Sequence, residues 1–284
     1  MKMLGINSEP ITARAVATTV SGVNSACLYT LGPSSGITGH GGGKKGGLIA
    51  QTCGIVDNGP LNITGKFPVC AGTIGVAGSG SGGGSRGSCS VANPGTGATC
   101  TDQAISTCPA PIPEAGNPLA YLTVGAQPPP AACSGNCFNP GTYASGITIR
   151  GNGSYVFNPG IYVLNGGGFT CSGTPTITGT GVMFYLENGA TWTCSGNTSV
   201  TLTAPSASNC PACPSQDYGI LMYQDPTNDQ NADTLSGGGN STPDEGYNGL
   251  VVIWGLTMNG NDLLTLGGVS GYGMTAIKDA VLVE

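Results

Sequence analysis

The sequence predicts an all-β protein folded as a right-handed parallel β-helix, with three short strands in each coil of 22–23 residues. Three observations support this fold class. The 284-residue chain has 51 glycines and only 8% charged residues, its Val, Ile and Thr cluster in short runs closed by Gly, Asn or Pro, and one motif repeats. No window keeps a helical apolar period without a glycine or proline break, so helices are not expected.

The repeat is clearest between residues 147 and 202. Phe169-Thr-Cys-Ser-Gly returns as Trp192-Thr-Cys-Ser-Gly 23 residues later, and Ile147-Thr-Ile-Arg-Gly precedes the first copy by 22 residues. Each interval also contains two further apolar clusters bounded by glycine or asparagine. A three-strand unit that repeats in this way buries its apolar side by stacking on its neighbours. A β-sandwich, the main alternative, has no reason to repeat one motif at this interval.

The alternation of side chains along each strand assigns the repeated residues to two faces. Because coils stack about 4.8 Å apart in register, equivalent positions form columns that run across the coils. The columns expected to point inward are Ile147, Phe169 and Trp192, and Ile149, Cys171 and Cys194. The column expected to point outward is Thr148, Thr170 and Thr193.

The domain organisation is predicted to be a single β-helix domain over residues 1–284. We expect N-terminal coils in residues 1–76, an irregular segment rich in Gly, Pro and Cys in residues 77–140, and regular coils in residues 141–284. Within the last part, residues 225–248 are predicted to form a protruding loop, because their polar sequence interrupts the repeat. The irregular segment is expected to be held by disulfides and not by a core.

Twelve cysteines are a high and even number for a chain of this length, and they favour structural disulfides. Disulfides imply an extracytoplasmic compartment. The candidates are Cys171, Cys194, Cys133, Cys137, Cys210 and Cys213. Buried free thiols are one alternative, and a metal or redox site is another, because Cys210 and Cys213 have the C-x-x-C spacing of zinc ligands.

The segment after the third cluster of the repeat contains candidate calcium ligands. They are Asp225, Asp229, Asn231 and Asp233, which lie within nine residues of one another. Oxygen ligands at alternate positions suit a hard cation such as calcium, although the EF-hand pattern is not met. A solvated polar loop is the alternative, and no other cofactor is expected.

Charge and hydropathy exclude several functions. A net charge of −6 with only eight Lys and Arg residues argues against binding to nucleic acid. No apolar run is long enough to form a membrane segment. The first ten residues lack the apolar stretch of a signal peptide, so we expect the export signal to lie outside this sequence. Glu187 is the only acid within the repeated strands, and a lone carboxylate favours a non-enzymatic protein.

A threonine column on a flat β-helix face is also typical of ice-binding surfaces. Only Thr148, Thr170 and Thr193 align in the sequence, beside Arg150 and Ser172. A regular array of two columns is not evident, so the sequence does not favour this interpretation.

Several segments give the chain a family resemblance. They include "NPGIYVLNGGG", "GTGVMFYL" and "GILMYQD", with "ITARAVATTVSG", "ACLYTL" and "NPLAYL" nearer the N-terminus. With these segments the chain resembles the TadG-like (TadE/G-like) proteins associated with bacterial Flp, or tight-adherence, pili. The likeness covers most of the chain but thins between residues 75 and 115 and after residue 225. It implies an extracytoplasmic role in pilus biogenesis or adhesion, without catalytic residues.

Together, these features predict a non-enzymatic extracellular or cell-surface protein with a structural or adhesive role in Flp/Tad-type pilus assembly. The expected partners are pilus or cell-envelope components, and self-association is a further expectation. A carbohydrate-binding or carbohydrate-active β-helix is the alternative.

Overall fold

The computed structural model describes residues 26–41, 46–65, 67–77, 89–91, 111–112, 114–225, 227, 231–237, 244–260 and 263–267. In these residues the fold is all-β, and one 3-10 turn at Ser215–Asp217 is the helical element. Every strand pairing described is parallel, in sheets of 15 and 8 strands. This confirms the predicted parallel β-helix class.

The strands fall into an N-terminal group and five regular coils. The N-terminal strands are β1 (Ala26–Thr30), β2 (Ile37–Gly41), β3 (Gly47–Asp57), β4 (Leu61–Gly65), β5 (Val69–Ala77), β6 (Cys89–Val91), β7 (Pro111–Ile112) and β8 (Cys137–Phe138). Coil 1 is β9 (Gly141–Tyr143), β10 (Ile147–Gly151) and β11 (Ser154–Phe157); coil 2 is β12 (Gly160–Asn165), β13 (Phe169–Gly173) and β14 (Thr176–Thr180). Coil 3 is β15 (Val182–Glu187), β16 (Trp192–Gly196) and β17 (Ser199–Thr203); coil 4 is β18 (Ile220–Gln224), β19 (Asp233–Gly237) and β20 (Asp244–Asn248); coil 5 is β21 (Leu250–Ile253), β22 (Leu256–Gly260) and β23 (Leu263–Gly267).

Three walls surround the core. The first wall contains the first strand of each coil, from β9 to β21, followed by β1. The second wall is the 8-stranded sheet, in the order β10, β13, β16, β19, β22, β2, β4 and β6. The third wall contains β8, β11, β14, β17, β20 and β23, followed by the start of β3.

The N-terminal strands β1 to β7 stack on the C-terminal end of the helix. β1 lies between β21 and β3, where Leu28 faces Val251 and Ile55, and β2 lies between β22 and β4. The order of coils in space is therefore coils 1 to 5 and then the N-terminal coils. Coil 1, at residue 141, lies at the opposite end of the stack from β1 to β7, whereas β8, which directly precedes coil 1 in the chain, pairs with β11 of that coil.

A connecting segment, residues 114–136, lies along the outside of the first wall and joins the two ends. Near β3 it is held by Asn58, whose side chain exchanges two hydrogen bonds with the backbone of Ala115. Near coil 1, the backbone N–H of Thr142 donates to the Pro128 carbonyl at 2.9 Å. Between them, Leu119 is fully buried against the wall. The first wall is covered on both faces, which explains why its strands are continuous apolar runs.

Glycine closes almost every strand of the second wall and turns the chain towards the third wall. Gly173 and Gly196 have φ values of 95° and 93°, a region that L side chains rarely adopt. A Cβ at Gly196 would lie 2.5 Å from the carbonyl oxygen of Gly173 in the preceding coil. The glycines are thus required both by the backbone conformation and by the close stacking of neighbouring corners.

The predicted inward columns are confirmed. Phe169 pairs in register with Trp192, and both are fully buried, with ring centroids 3.9 Å apart. Ile147 and Ile149 are also buried, at the end of the same columns. The aromatic column continues across the core to Phe184, whose ring meets that of Trp192 edge to face.

The structure corrects the predicted protruding loop at residues 225–248. Strands β19 and β20 lie in this range and complete coil 4, which pairs with coil 3 on one side and coil 5 on the other. The sequence concealed them because Asp233 and Glu245 occupy inward positions that are apolar in the other coils. The predicted irregular segment, residues 77–140, is partly described: strands β6, β7 and β8 lie in it and pair with β4, β5 and β11, whereas residues 114–136 contain no strand.

Four disulfides lie in the described residues, and every predicted candidate cysteine takes part in one. The pairs are Cys27–Cys53, Cys133–Cys137, Cys171–Cys194 and Cys210–Cys213, with Cα–Cα distances of 5.6, 5.7, 4.5 and 5.4 Å. These bonds indicate an oxidising, extracytoplasmic environment. The connecting segment is held by hydrogen bonds and apolar contacts in addition to the disulfide that was expected to hold it.

Candidate functional site

The outer surface of the second wall carries a column of six threonines on six successive coils. In stacking order they are Thr148, Thr170, Thr193, Thr234, Thr257 and Thr38, each in register with the next. Asn62 continues the column on β4. All six side chains are exposed or partly exposed. We call this surface the threonine face.

A second polar column runs beside the threonines, two residues further along each strand. Its members are Arg150, Ser172, Ser195, Ser236, Asn259, His40 and Thr64. His40 and Thr64 are hydrogen-bonded to each other through the imidazole Nδ1 and the hydroxyl. The two columns make a two-dimensional array of polar side chains, in which Asn259, His40 and Arg150 are the large members of the second column and Arg150 lies on the outermost strand of the wall.

The spacing of this array follows from the backbone. Neighbouring coils repeat every ~4.8 Å, and residues two apart on one strand repeat every ~6.6 Å. Six rungs therefore extend for about 24 Å along the axis of the helix. Because one sheet carries all the rungs, the face is a regular lattice and not a set of separate loops.

The interior holds the threonine face rigid. The disulfide between Cys171 and Cys194 joins coils 2 and 3 one residue beyond the column pair Thr170 and Thr193. Phe169 and Trp192, whose rings are stacked, are the residues immediately before the same two threonines in the sequence. The rungs of coils 2 and 3 are thus fixed by a covalent bond and by close packing beneath them.

Sequence reasoning found half of this column and missed the rest. Thr257 follows the same motif as Thr193, with a glycine three residues later, and so do Thr38 and Thr234. All six rungs share the motif Thr-x-x-Gly, but Thr176 and Thr178 of the third wall share it as well, so the motif alone does not identify the column. Thr234 lies in the segment that was predicted to be a polar loop. Thr38 lies on β2, and no pattern in the neighbouring sequence indicates that β2 pairs with β22 of coil 5.

The third wall presents a shorter polar surface. Thr178 and Thr201 are exposed and face each other on coils 2 and 3, and Val156 precedes them on coil 1. Gly246 follows them on coil 4, so the column of threonines is interrupted after two members. This surface provides a matched comparison for the threonine face.

The candidate calcium ligands make contacts with other parts of the protein. The Asp225 carboxylate accepts hydrogen bonds from the Tyr185 hydroxyl at 2.7 Å and from the Thr227 backbone at 2.8 Å. The Asp233 carboxylate is buried and accepts a hydrogen bond from the Trp192 backbone at 2.7 Å.

The remaining two candidates do not complete a described ion site. Asn231 is described, and its backbone carbonyl accepts a hydrogen bond from the Gln224 side chain at 2.8 Å. Asp229 lies outside the described residues. Within those residues no group of three or more metal-ligating side chains is found. Calcium binding therefore stays a prediction, which a comparison of melting temperatures in chelator and in millimolar calcium tests.

A polar layer crosses the core in coil 4. The Tyr247 hydroxyl donates to Glu245 Oε2 at 2.7 Å, and Thr198 Oγ1 donates to Glu245 Oε1 at 3.4 Å. Burial is the main cause that raises the pKa of Tyr247 well above its usual value, and the negative charge of the neighbouring Glu245 carboxylate raises it further. A cavity of about 20 Å³ adjoins this layer, and its lining is mainly apolar, with Leu28, Met222 and Leu235 beside Trp192 and Tyr247.

Two further acids have shifted pKa values. Burial raises the pKa of Asp57 to about 6, although hydrogen bonds from Thr30, Gly59 and Ile37 favour the charged form. Burial also raises the pKa of Asp217 to about 6. Asp57 joins the turn after β1 to the turn after β3, so its role is structural.

The described residues contain no helix long and apolar enough to cross a membrane. Comparisons with protein-family models, with curated proteins and with solved structures find no match to this chain. The function is therefore argued from the geometry and chemistry of the threonine face.

Proposed function

We propose that this protein is a non-enzymatic, extracytoplasmic surface protein that adheres to an extended surface through its threonine face. The observation that carries the proposal is the column of six threonines in register on one wall of a disulfide-linked β-helix. Pre-organised groups on a rigid scaffold bind without a large cost in conformational entropy. The face is therefore suited to contact with a large, flat partner.

The cellular setting of the proposal has two supports. Four disulfides favour an oxidising compartment outside the cytoplasm. The resemblance to TadG-like proteins supports a place at the cell surface beside tight-adherence pili, with pilus or envelope components as partners. Immunogold labelling of intact cells tests this setting. Label on the outer surface agrees with it, and label confined to the cytoplasm contradicts it.

The assignment as a non-enzymatic protein is supported by the contacts of three of its described acids. Asp57 and Asp233 accept hydrogen bonds from backbone N–H groups inside the fold, and Glu245 accepts one from Tyr247. These carboxylates are buried. Groups in such positions stabilise turns and fill the core, whereas an acid–base catalyst has to reach its substrate.

A carbohydrate-binding role is the second candidate, and one observation favours it. On the outer side of the first wall, the hydroxyl of the partly exposed Tyr185 donates to Asp225, and the Tyr185 ring lies 5.6 Å from the ring of the buried Tyr223. Aromatic rings beside a hydrogen-bonding carboxylate are groups that fit a sugar. Binding to insoluble polysaccharide that is lost in Tyr185→Ala would favour this candidate over the threonine face.

Adhesion by coated beads tests the main proposal. Beads carrying the oxidised full chain are allowed to settle at room temperature on an uncharged, hydroxyl-terminated hydrated surface, and the fraction retained under flow is counted. Thr193→Lys should reduce retention, because a long charged side chain projects from the face and holds the surfaces apart. Thr201→Lys, in the same coil but on the third wall, should retain wild-type adhesion. Equal retention for wild type and Thr193→Lys would contradict the proposal.

A further inference from the structure

The threonine face repeats one side chain along the axis of the helix, beside a second column of mixed polar side chains, and this repeat limits the kinds of ligand that fit it. The same side chain recurs at ~4.8 Å along the axis, and a second polar column recurs ~6.6 Å away. A protein partner of irregular shape is matched by different residues at different places in an interface, around a few large anchor side chains. A repeated side chain at constant spacing is instead matched by a ligand that itself repeats.

We propose that the threonine face binds the surface of ice, so that an ordered water lattice is the extended surface to which this protein adheres. This inference rests on the proposed function, because it names the ligand of the same face. The ~4.8 Å repeat of the coils lies close to the oxygen repeat of hexagonal ice along its a axis. A face with this repeat can therefore meet the lattice in register at successive rungs.

The chemistry of the threonine side chain fits water in particular. A threonine hydroxyl donates one hydrogen bond and accepts others, as a water molecule does. The methyl group beside each hydroxyl is apolar. Water between neighbouring rungs can therefore form hydrogen bonds with the hydroxyls while it lies against the methyl groups. Each rung from Thr148 to Thr38 presents this pair of groups.

Charge complementarity also favours a neutral lattice. Lys, Arg, Asp and Glu together make up 8% of the chain. No carboxylate stands in either column of the threonine face, and Arg150 lies on β10, the outermost strand of the wall. A mineral surface or a cationic polymer would be bound by a column of acids, and an anionic polymer by a column of lysines or arginines.

The aromatic content of the face argues against a crystalline polysaccharide. Both columns lack aromatic rings other than the imidazole of His40. Tyr185, the partly exposed tyrosine that could stack on a sugar, lies on the first wall beside the buried Tyr223. Any sugar binding at Tyr185 would therefore involve a different surface from the one proposed to contact ice.

Rigidity is the remaining requirement, and the interior provides it. A lattice is bound by many weak contacts at once, so the rungs have to be in register before contact. The Cys171–Cys194 disulfide and the stacked rings of Phe169 and Trp192 fix two rungs beneath the face. The glycine corners at Gly173 and Gly196 fix the ends of the same strands.

Thermal hysteresis measured on the oxidised full chain tests the inference. The freezing point of a small ice crystal in the protein solution should fall below its melting point, and fluorescently labelled protein should coat the crystal. Thr193→Lys should lose both effects, because its side chain prevents flat contact. Thr201→Lys should retain both. Circular dichroism melting checks that the two variants are folded to the same extent.

Two outcomes would overturn the inference. Wild-type protein that gives no hysteresis and leaves the crystal uncoated is not an ice binder. Equal loss of hysteresis in the two variants would also contradict the assignment, because the threonine face would then have no special role. If the bead assay still shows adhesion that depends on Thr193, only the ice inference fails and the proposed function stands. If that adhesion is absent as well, both fail.

Discussion

The glycine corners of the second wall give a sharp test of how the coils stack. Gly151 and Gly196 occupy the same position in coils 1 and 3, and both have a φ of 93°. A Cβ at Gly151 would meet no atom within 4 Å, whereas a Cβ at Gly196 would lie 2.5 Å from the Gly173 carbonyl oxygen. The two glycines differ because coil 1 ends the wall and coil 3 stacks on coil 2.

The expected losses of stability follow from these contacts. In Gly151→Ala the left-handed conformation costs about 1–2 kcal/mol, offset by about 0.4–1 kcal/mol from the stiffer unfolded chain. The net loss should be about 1 kcal/mol. Gly196→Ala carries the same terms and must also shift two tightly stacked backbones, which adds about 1–3 kcal/mol. We therefore expect Gly196→Ala to be less stable than Gly151→Ala by about 2 kcal/mol.

Urea unfolding followed by circular dichroism measures this difference. For a protein of this size, about 2 kcal/mol corresponds to a melting temperature lower by about 4–8 °C, so a thermal scan gives a second readout. If the two variants lose the same stability, the corner of coil 3 is not in close contact with coil 2. The stacking described here would then be refuted.

Three further predictions follow from the core. Ile149→Asp should unfold the domain, because it places an unpaired charge in an inward column, and Thr148→Asp should be tolerated; equal melting temperatures would contradict the assignment of faces. The free energy of unfolding should fall by about 3 kcal/mol between about pH 4 and about pH 6. Burial raises the pKa of Asp57 to about 6, so over this range the folded state holds a proton that the unfolded state releases. If Asp57→Asn leaves the slope of stability against pH unchanged, Asp57 is not the group responsible. Replacing Cys171 and Cys194 together by alanine opens a loop of 23 residues and should lower the free energy of unfolding by about 3 kcal/mol. The variant should still fold. If it is unfolded under native conditions, the bond is essential for folding.

The sequence was sufficient to predict the coils whose motif is intact. The repeat from Ile147 to Trp192 identifies β10, β13 and β16, and the alternation of side chains assigns their faces. It also predicts that Cys171 and Cys194 lie one coil apart at a distance that allows a disulfide. These predictions succeed because strand period and coil spacing are local properties of the backbone.

The rest depended on contacts that leave no local pattern. β19 and β20 were missed because Asp233 and Glu245 stand at inward positions, where an apolar residue is the usual signal. The pairing of β1 with β21 joins residues more than 200 positions apart, as Leu28 and Val251 are. Without that pairing, Thr38 cannot be placed beside Thr257, and the threonine face is seen as three rungs and not six.

Cross-linking of the two ends of the chain tests most directly whether the threonine face is continuous. Thr38→Cys combined with Thr257→Cys places two thiols on facing rungs of β2 and β22. Thr38→Cys combined with Thr193→Cys is the control, because two coils separate those rungs. After mild oxidation of folded protein, non-reducing peptide mapping should find the peptides of residues 38 and 257 linked, and those of residues 38 and 193 unlinked. Absence of the first link, or equal formation of both, would contradict the stacking of the N-terminal coils on coil 5 and with it the six-rung face.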